Sequence, residues 1–390
     1  MHVLHLSYFY DADIASPEEL LTRYETTTEL CAGLVRAGVE QVSVVQRFSR
    51  TVTFEADGVT YHLIEDGKEP PLGWREDPRE THELVARLAP DIVHLHGDAA
   101  PLRFLRPLLP RALFLWQHHA DAPPVPSQRW RLERRGFQVL DGVIFSAAEQ
   151  AWPWERAGLV DVRHVVYELM EGSTRFEPLP HETCRAELGW KGDPVLLWVG
   201  RLNDNKDPLA VLRGLAQAGP RLRDPHLYMA YGTDDLLESV QAEVSALGLE
   251  GRVHLLGTVP HHDLPRLYSA ADLFVLGSHE EGSGYALLEA LACGLPAVVT
   301  NIPSFRRATG RGRLGGLWKP GSPQSFAEAL QAAVQAPPER SEVRRFFEDN
   351  WSFPALGRSA AAIYQSAVRT TWERGRPARS RLKASRLKAE

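Results

Sequence analysis

The chain has 390 residues, 44% hydrophobic and 24% charged, which is typical of a globular protein with a substantial core and more than one domain. No apolar run approaches the ~18 residues that span a bilayer, no secretory signal opens the chain, and three scattered cysteines argue against a disulfide framework or a cysteine metal site, so we expect a cytoplasmic protein. The net charge of −6 includes a basic tail at 374–390 with seven Lys/Arg and one Glu, so the remainder carries −12, which argues against nucleic-acid binding by that part.

The first half of the chain alternates short apolar segments with helical stretches. This alternation predicts a parallel sheet covered by helices on both faces. Helices are predicted at 18–36 and 82–88, and a small hairpin at 52–64. The predicted strands are 2–7, 41–46, 91–96, 112–117, 142–146 and 163–167.

A polar stretch at 171–193 interrupts this series and is predicted to be an interdomain linker with one short helix. A first domain at 1–170 and a second at 194–354 are therefore expected, with a ligand cleft at the carboxyl ends of their strands. Helices near 341–349 and 355–371 follow, with the alternative that the last one packs back on the first domain, and the tail 372–390 is expected to be disordered. The second series of predicted strands is 195–199, 226–231, 253–256, 273–276, 297–300 and 316–318.

One candidate site follows strand 195–199. Asp207 suits a helix N-cap and Pro208 the first helical position, so the preceding residues form a loop at the sheet's carboxyl end. Arg201 and Lys206 lie five residues apart on this loop, beside the permissive Gly200. Two cations in this position fit a diphosphate, and the alternative is ordinary surface charge.

A second candidate site is the stretch HEEGSGYALLEALACGLP at 279–296. The Gly-Ser-Gly turn at 282–284 opens a predicted helix, whose first backbone amides can bind a phosphate. Glu281 precedes the turn, and Glu289 lies about five residues into the helix, roughly 7 Å along its axis. Carboxylates repel phosphate but accept hydrogen bonds from sugar hydroxyls, so this combination indicates a sugar–diphosphate–sugar ligand, that is, a nucleotide sugar. The alternative is that both acids are solvent-exposed.

Glu281 and Glu289 have seven residues between them. VGRLNDNKDP, LYMAYGTDD and RVHLLGTVPHHDLPRLYSAADLFVLGS precede this pair, and TNIPSFRRATGRGRLGGLWKPGSPQSFAEAL follows it. These motifs and their order, over residues 190–335, resemble the retaining GT-B glycosyltransferases of the family 4-like, group 1 class, whose EX7E signature the two glutamates resemble. The resemblance implies an α/β GT-B fold, two Rossmann-like doubly wound parallel-sheet domains facing a central cleft.

The resemblance also implies an activity, a metal-independent hexosyltransferase-like transfer that retains the configuration of the sugar. Arg201 and Lys206 then neutralise the donor diphosphate, Glu281 contacts the transferred sugar, and Glu289 holds the nucleotide ribose. In the front-face mechanism proposed for the family, the leaving phosphate takes the acceptor's proton, and no cofactor is expected. The implied donor-binding set is Gly200, Arg201, Lys206, Glu281, Gly282, Ser283, Gly284 and Glu289, of which Arg201, Lys206 and Glu281 are also expected to be catalytic.

The first domain resembles the family more loosely. PDIVHLHG places His96 at a strand end, and LFLWQHHAD resembles the strand whose terminal His lies near the reacting carbon. We assign that catalytic role to His119 rather than His118, because adjacent side chains of an extended chain point in opposite directions. The loop after the first strand lacks the Gly-Gly turn of many family members, and Tyr8 there is expected to shape an unusual acceptor pocket. Candidate cleft residues are therefore His96, His118 and Tyr8.

Two short motifs mimic metal sites. Asp11-Ala12-Asp13 has the DxD spacing of metal-dependent glycosyltransferases of another fold, but it follows the first strand of a two-domain pattern, and we do not assign it as a metal site. His261-His262-Asp263 is expected to begin a short helix. No metal is therefore expected.

The sequence leaves more than one possibility open for the partners and for the function of the protein. A nucleotide sugar is the expected donor, and the acceptor is a sugar, a polysaccharide or a lipid-linked molecule, with no nucleic acid. The alternative functions are a nucleotide-sugar epimerase of the same fold and a non-catalytic nucleotide-sugar-binding protein. Two basic segments have two possible interpretations. They could make weak contact with an anionic membrane, which would place the protein on its inner face, or they could be solvated surface charge. The segments are the tail from Arg374 to Lys388 and a predicted helix with Arg129, Arg131, Arg134 and Arg135.

Overall fold

The computed structural model describes residues 1–66, 76–119 and 122–373, which form two compact units. The first unit comprises Met1–Glu171 and the C-terminal helix Phe353–Glu373, and the second comprises Gly172–Ser352. The stretch predicted to be a linker thus belongs, from Gly172 onward, to the second unit. Its contacts explain this, since Arg185 donates to the carbonyl of Ala270 at 2.9 Å. The predicted basic tail, 374–390, lies outside the described residues.

The first unit is built on an eight-stranded sheet in the order β3-β4-β2-β1-β5-β6-β7-β8. All neighbouring pairs are parallel except β3 and β4, which form the predicted antiparallel hairpin. The strands are β1 (His2–Ser7), β2 (Gln41–Arg47), β3 (Val52–Ala56), β4 (Val59–Ile64), β5 (Ile92–His96), β6 (Leu113–Gln117), β7 (Gly142–Phe145) and β8 (Val165–Glu168).

Helices of the first unit connect these strands. The helix predicted at 18–36 is two helices that meet at Tyr24, where the backbone leaves the helical conformation with φ −104° and ψ 36°. Thr28 Oγ1 donates to the Leu21 carbonyl at 3.3 Å across this break. The helices are α1 (Pro17–Arg23), α2 (Glu25–Arg36), α3 (Arg79–Leu88), α4 (Leu102–Leu105), α5 (Gln128–Phe137) and α6 (Trp152–Arg156), with a 3-10 turn at Ala148–Ala151.

The second unit has a six-stranded parallel sheet in the order β11-β10-β9-β12-β13-β14. Counted within the unit this is the order 3-2-1-4-5-6 of a Rossmann-like sheet, as expected. The strands are β9 (Val195–Gly200), β10 (His226–Tyr231), β11 (Val253–Gly257), β12 (Leu273–Leu276), β13 (Ala297–Thr300) and β14 (Gly315–Trp318).

Helices cover this second sheet as well. They are α7 (His181–Leu188), α8 (Pro208–Ala218), α9 (Leu237–Ala246), α10 (Leu264–Ala270), α11 (Tyr285–Ala292), α12 (Pro303–Ala308), α13 (Pro323–Gln335) and α14 (Arg340–Asn350). The last described helix, α15 (Phe353–Glu373), belongs to the first unit. Three 3-10 turns join them, at Asp204–Lys206, Gly219–Arg221 and His261–Asp263.

Each sheet has one point where the strand order reverses direction, between β1 and β5 in the first unit and between β9 and β12 in the second. Ligands of open parallel sheets bind outside the carboxyl ends of the strands at such points. The topology therefore indicates where to look for a site in each unit.

The C-terminal helix α15 crosses α2 at close range in the first unit. Gly33 on α2 and Gly357 on α15 make this possible, since a Cβ on Gly357 would lie 2.4 Å from the carbonyl carbon of Gly33. This packing covers one face of the first sheet and buries Tyr364 of α15 against it.

Candidate functional site

The first cluster lies in the second unit, on the loop after β9. Asn203 caps the 3-10 turn that follows, its side chain accepting from the Lys206 amide at 3.1 Å. Asp207 then adopts a left-handed φ of 41° and caps α8 by accepting from the Ala210 amide, with Pro208 in the first helical position as the sequence predicts. This succession of caps places Lys206 at the sheet's carboxyl edge. Arg201, on the same loop, has an exposed side chain.

The loop after β12 is tied to the loop after β9 by Asn205. The Asn205 amide donates to the Glu280 carbonyl at 3.0 Å and its oxygen accepts from the Glu280 amide at 3.0 Å. Lys206 forms an ion pair with Glu281, and both side chains are only 13% exposed. Glu281 also accepts from the Ser278 hydroxyl at 2.7 Å. The two strands beside the order reversal thus bring the predicted cation and the predicted acid into direct contact.

The Gly-Ser-Gly turn forms the amino terminus of α11. Gly284 is the N-cap, with a φ of 80° that L side chains rarely adopt, and an added Cβ would lie 2.4 Å from the Phe305 ring. Ser283 is buried, and its hydroxyl has no hydrogen-bond partner among the described residues. A buried, unsatisfied hydroxyl beside helix amides is the arrangement that an anionic oxygen would satisfy. Gly282 precedes it in the turn, and Gly200 ends β9.

Glu289 lies on the second turn of α11 and is buried rather than solvent-exposed. One oxygen accepts from the Tyr268 hydroxyl at 2.8 Å and the other contacts Nε2 of His261 at 2.8 Å. Burial and the neighbouring Glu289 hold the pKa of Tyr268 well above its usual value, so the phenol keeps its proton and donates it. A carboxylate has about four acceptor positions, so two remain for hydroxyl groups of a ligand.

Sequence reasoning missed the residues that hold these acids in place. Tyr268 and His261 lie 21 and 28 positions before Glu289, and no local pattern links them to it. His261 stands in the predicted short turn, but its contact with Glu289 and its ring packing on Phe176, with centroids 4.8 Å apart, arise from tertiary structure. The sequence shows Asn205 as one polar residue in a polar loop, and nothing in the pattern indicates that it joins two loops.

The second cluster lies in the first unit, at and below the point where β1 and β5 meet. His119 Nδ1 lies 3.0 Å from a carboxylate oxygen of Glu171, and its Nε2 lies 2.9 Å from Nδ1 of His96. His96 Nε2 in turn lies 2.9 Å from Nδ1 of His5. The predicted residues His96 and His119 therefore lie in contact, and His5, which was not predicted, continues the row.

The other candidate residues of the first unit lie in its core. His118 points away from His119, as alternation along an extended chain requires, and it is buried against Phe145 and Trp154. Tyr8 is also buried, and its hydroxyl contacts Nε2 of His82 at 2.8 Å. In the described part of the unit neither side chain is presented to solvent.

Within the described residues, one group has spacing that suits a metal ion, namely His5, His94 and His96, whose nitrogens lie within 4.8 Å of one another. Five of their six ring nitrogens are already hydrogen-bonded to each other, to His119 or to Tyr364. We therefore treat the group as a hydrogen-bonded cluster and not as a metal site.

The basic helix α5 exposes its four arginines, Arg129, Arg131, Arg134 and Arg135. Trp130 among them is partly buried, donates to the Ala157 carbonyl at 3.0 Å and packs on the core, so it is not presented to a surface. Nowhere in the described ranges is there a helix with the length and apolar character required to cross a membrane.

Comparisons with known proteins identify the class to which this geometry belongs. Residues 181–347 match the family model described as "Glycosyl transferases group 1". A D-inositol 3-phosphate glycosyltransferase of Geodermatophilus obscurus is 33% identical over 84% of this chain and 82% of its own length. A mannosylfructose-phosphate synthase of Agrobacterium fabrum is 36% identical, over 36% of this chain and 33% of its own.

The fold has close counterparts among solved structures. The Anabaena protein HepE, solved in complex with UDP, superposes with a TM-score of 0.67 over 94% of this chain and all of its own, at 18% identity. The chain therefore has the expected GT-B fold and belongs to the glycosyl transferases group 1 family. It spans only about a third to a half of the length of several other curated relatives that it matches.

Proposed function

We propose that the protein is a retaining glycosyltransferase that transfers a sugar from a nucleotide-diphosphate sugar to an acceptor without a metal ion. The observation that carries the proposal is the cluster of the second unit: Lys206 with Glu281, the turn at 282–284 and Glu289, assembled around one order reversal of a Rossmann-like sheet. Relatives add support, since HepE was solved with UDP and the Geodermatophilus relative is named as a glycosyltransferase.

The cluster suits charge that develops on a leaving diphosphate. Lys206 and Arg201 supply two cations, and the amino terminus of α11 supplies aligned backbone dipoles. Such preorganised groups stabilise a transition state because they need no rearrangement when the charge appears. The Lys206–Glu281 ion pair lies where it would be opened or extended by a phosphate, which leaves Glu281 to accept a hydroxyl of the transferred sugar.

Glu289 has a separate role in this proposal. It lies deeper in α11 than the turn, and Tyr268 holds one of its oxygens in a fixed position. A ribose that hydrogen-bonds Glu289 uses its remaining acceptor positions and competes with His261, the more exposed partner. For the acceptor, we propose a sugar, a polysaccharide or a lipid-linked molecule.

Two alternatives use the same cluster. A nucleotide-sugar epimerase would bind the same donor but change it without an acceptor, and a non-catalytic binding protein would leave it intact. Release of nucleoside diphosphate only when an acceptor is present identifies the transferase, and its absence under all acceptor conditions identifies one of the alternatives.

The testing experiment starts with a thermal-shift screen of UDP, GDP, ADP and dTDP, since a ligand that binds the native state raises the melting temperature by mass action. The best nucleotide then selects a set of nucleotide sugars for turnover assays with monosaccharide, oligosaccharide and lipid-linked acceptors. NMR of the anomeric proton in the first product reads the stereochemistry. Inversion would refute the retaining assignment, and loss of activity with a chelator, restored by manganese, would refute metal independence.

A further inference from the structure

A continuous line of hydrogen-bonded rings runs through the first unit, from the edge of its sheet to the C-terminal helix. Beyond His5, the hydroxyl of Tyr364 lies 3.3 Å from His5 Nε2 and 2.6 Å from Nδ1 of His94. The line therefore has six members, in the order Glu171, His119, His96, His5, Tyr364 and His94.

Neighbouring strands place these rings in register. His5 on β1 pairs with His94 on β5, and Ser7 pairs with His96, so the three imidazoles lie on the same face of the sheet. Their ring centroids lie 4.6 to 5.2 Å apart. The helix α15 covers this face and contributes Tyr364.

The Glu171 carboxylate fixes the direction of every hydrogen bond in the line when the rings are neutral. An ionised carboxylate only accepts, so His119 must donate from Nδ1 and keep a lone pair at Nε2. That lone pair requires a donor at His96 Nδ1, which by the same logic requires a donor at His5 Nδ1. His5 Nε2 then accepts from the Tyr364 hydroxyl.

The far end of the line becomes compatible with this direction when the amide of Gln117 is turned over. Once Tyr364 donates to His5, its oxygen accepts from His94 Nδ1, which leaves His94 Nε2 as a lone pair. This nitrogen is buried and lies against the amide oxygen of Gln117, and because two acceptors cannot bond to each other, neither atom is satisfied as the amide stands. Exchanging the amide oxygen and nitrogen of Gln117 offers an N–H to the lone pair.

Burial keeps the rings neutral. It holds the pKa values of His5, His94 and His96 well below the usual histidine range, and like-charged neighbours add to the effect. Burial also holds the pKa of Tyr364 well above its usual value, so the phenol remains protonated.

We propose that Glu171 and His96 are positioning residues for His119, which hold its ring in the Nδ1–H tautomer, and that His5 and Tyr364 continue the line that orients His96. The C-terminal helix thereby supplies the side chain at the far end of this line. The structural part of the proposal stands by itself, and its catalytic consequence rests on the proposed transferase function, in which His119 faces the reacting sugar.

Tautomers can be read without any substrate. The full chain, labelled with ¹⁵N in its histidine rings, is studied at pH 8 by long-range ¹H–¹⁵N spectra, with signals assigned by their loss in single His→Gln variants. We expect Nδ1–H in all four of His5, His94, His96 and His119. An Nε2–H tautomer at His119 or His96 overturns the proposal.

Two variants test the direction of the line. Glu171→Gln replaces the pure acceptor by a group that also donates, so we expect His119 to populate the Nε2–H tautomer, whereas Glu155→Gln, at an exposed acid of the same unit, leaves all four rings unchanged. Tyr364→Phe releases only the far end, so His94 changes and His119 does not. A response of His119 to the exposed-site control, or none to Glu171→Gln, contradicts the assignment.

Turnover measurements distinguish a failure of the positioning role from a failure of the transferase proposal. We expect Glu171→Gln to lower turnover about tenfold with unchanged nucleotide affinity, because the nucleotide is proposed to bind the second unit. If the tautomers respond as expected while the wild-type chain transfers no sugar, the line stands and the transferase proposal fails. If turnover is unaffected although His119 changes tautomer, the positioning role fails and the transferase proposal stands.

Discussion

Both units contain a parallel sheet with one reversal of strand order and place polar groups close to that reversal, but they do so with different chemistry. In the second unit, loops after β9 and β12 bring opposite charges together, with Lys206 against Glu281. In the first unit, the strands themselves carry uncharged imidazoles, stacked and hydrogen-bonded in a row beneath α15.

This difference follows from how each unit compensates burial. Lys206 and Glu281 are both only 13% exposed, but each charge is paired with the other on flanking loops, so the pair can be held there and redirected to a charged ligand. Residues on the covered face of a strand lose solvent, and a charge there must be neutralised or paired. The cluster of the second unit thus suits a charged ligand, whereas the rings of the first unit suit a fixed set of neutral tautomers.

Lowering the pH should produce the largest difference between the two units, measured as loss of free energy of unfolding. His5 and His94 are almost completely buried and stay neutral in the folded chain, whereas the unfolded chain binds protons near pH 6.5. Unfolding therefore takes up protons below pH 6.5, and the free energy of unfolding falls as the pH falls. Each such ring costs on the order of 1 kcal/mol per pH unit below the unfolded pKa, so two rings cost a few kcal/mol between pH 7.5 and 5.5.

Hydrogen exchange, resolved by peptide and corrected for intrinsic rates, measures this loss in each unit of the same molecule. Peptides of β1 and β5 should lose protection first. In the second unit, His254 is partly exposed and its pKa is lowered less by burial, so β9 and β12 should change less. Equal losses of protection in both units would show that the buried histidines of the first unit do not make it more sensitive to acid than the second.

Removing the cations of the second unit should produce the next largest effect. Lys206→Ala and Arg201→Ala should each reduce turnover by about 10²-fold or more, as expected for lost stabilisation of transition-state charge. Lys191→Ala, at an exposed lysine of the same unit, is the matched control. Steady-state kinetics measure the effect, with melting temperatures to check folding, and near-normal rates in both variants would exclude the diphosphate assignment.

The two acids should have separable effects of about tenfold in affinity each, about 1.4 kcal/mol. Glu289→Ala should weaken binding of the bare nucleoside diphosphate, because that carboxylate is proposed to hold the ribose. Glu281→Ala should weaken the intact donor and spare the nucleotide, because it is proposed to hold the transferred sugar. Calorimetry with both ligands measures this, and equal losses in both variants would show that the acids act on the same group.

The smallest effect concerns the basic helix α5 of the first unit and the tail from Arg374 to Lys388. Each basic residue near an anionic surface contributes roughly 1 kcal/mol, within a Debye length. We expect weak sedimentation with phosphatidylserine vesicles at low salt, lost at moderate salt and reduced in a chain that ends at Glu373. If the full and shortened chains bind equally poorly at low salt, the charges are simply solvated.

Much of the fold could be predicted because its signals are local. Parallel strands buried on both faces appear as short apolar runs, and caps such as Asp207-Pro208 fix where a helix begins. The strands 226–231, 273–276 and 297–300 were predicted with the bounds that the structure gives. The helix at 18–36 is predicted without its break, since apolar periodicity does not report a single residue whose backbone leaves the helical conformation, as Tyr24 does.

The sequence by itself determined the cluster of the second unit. Its residues lie within short loops at strand ends, and a strand, a loop and a helix in succession leave little freedom about which edge those loops occupy. Tertiary structure alone decided the partners of Glu289 and the continuation of the first unit's line beyond His96 and His119. Tyr364 and His94 are 270 residues apart in the chain, and their contact exists only because α15 packs on α2 over the sheet. Side-chain contacts over such distances depend on packing between elements, and no spacing within the chain encodes them.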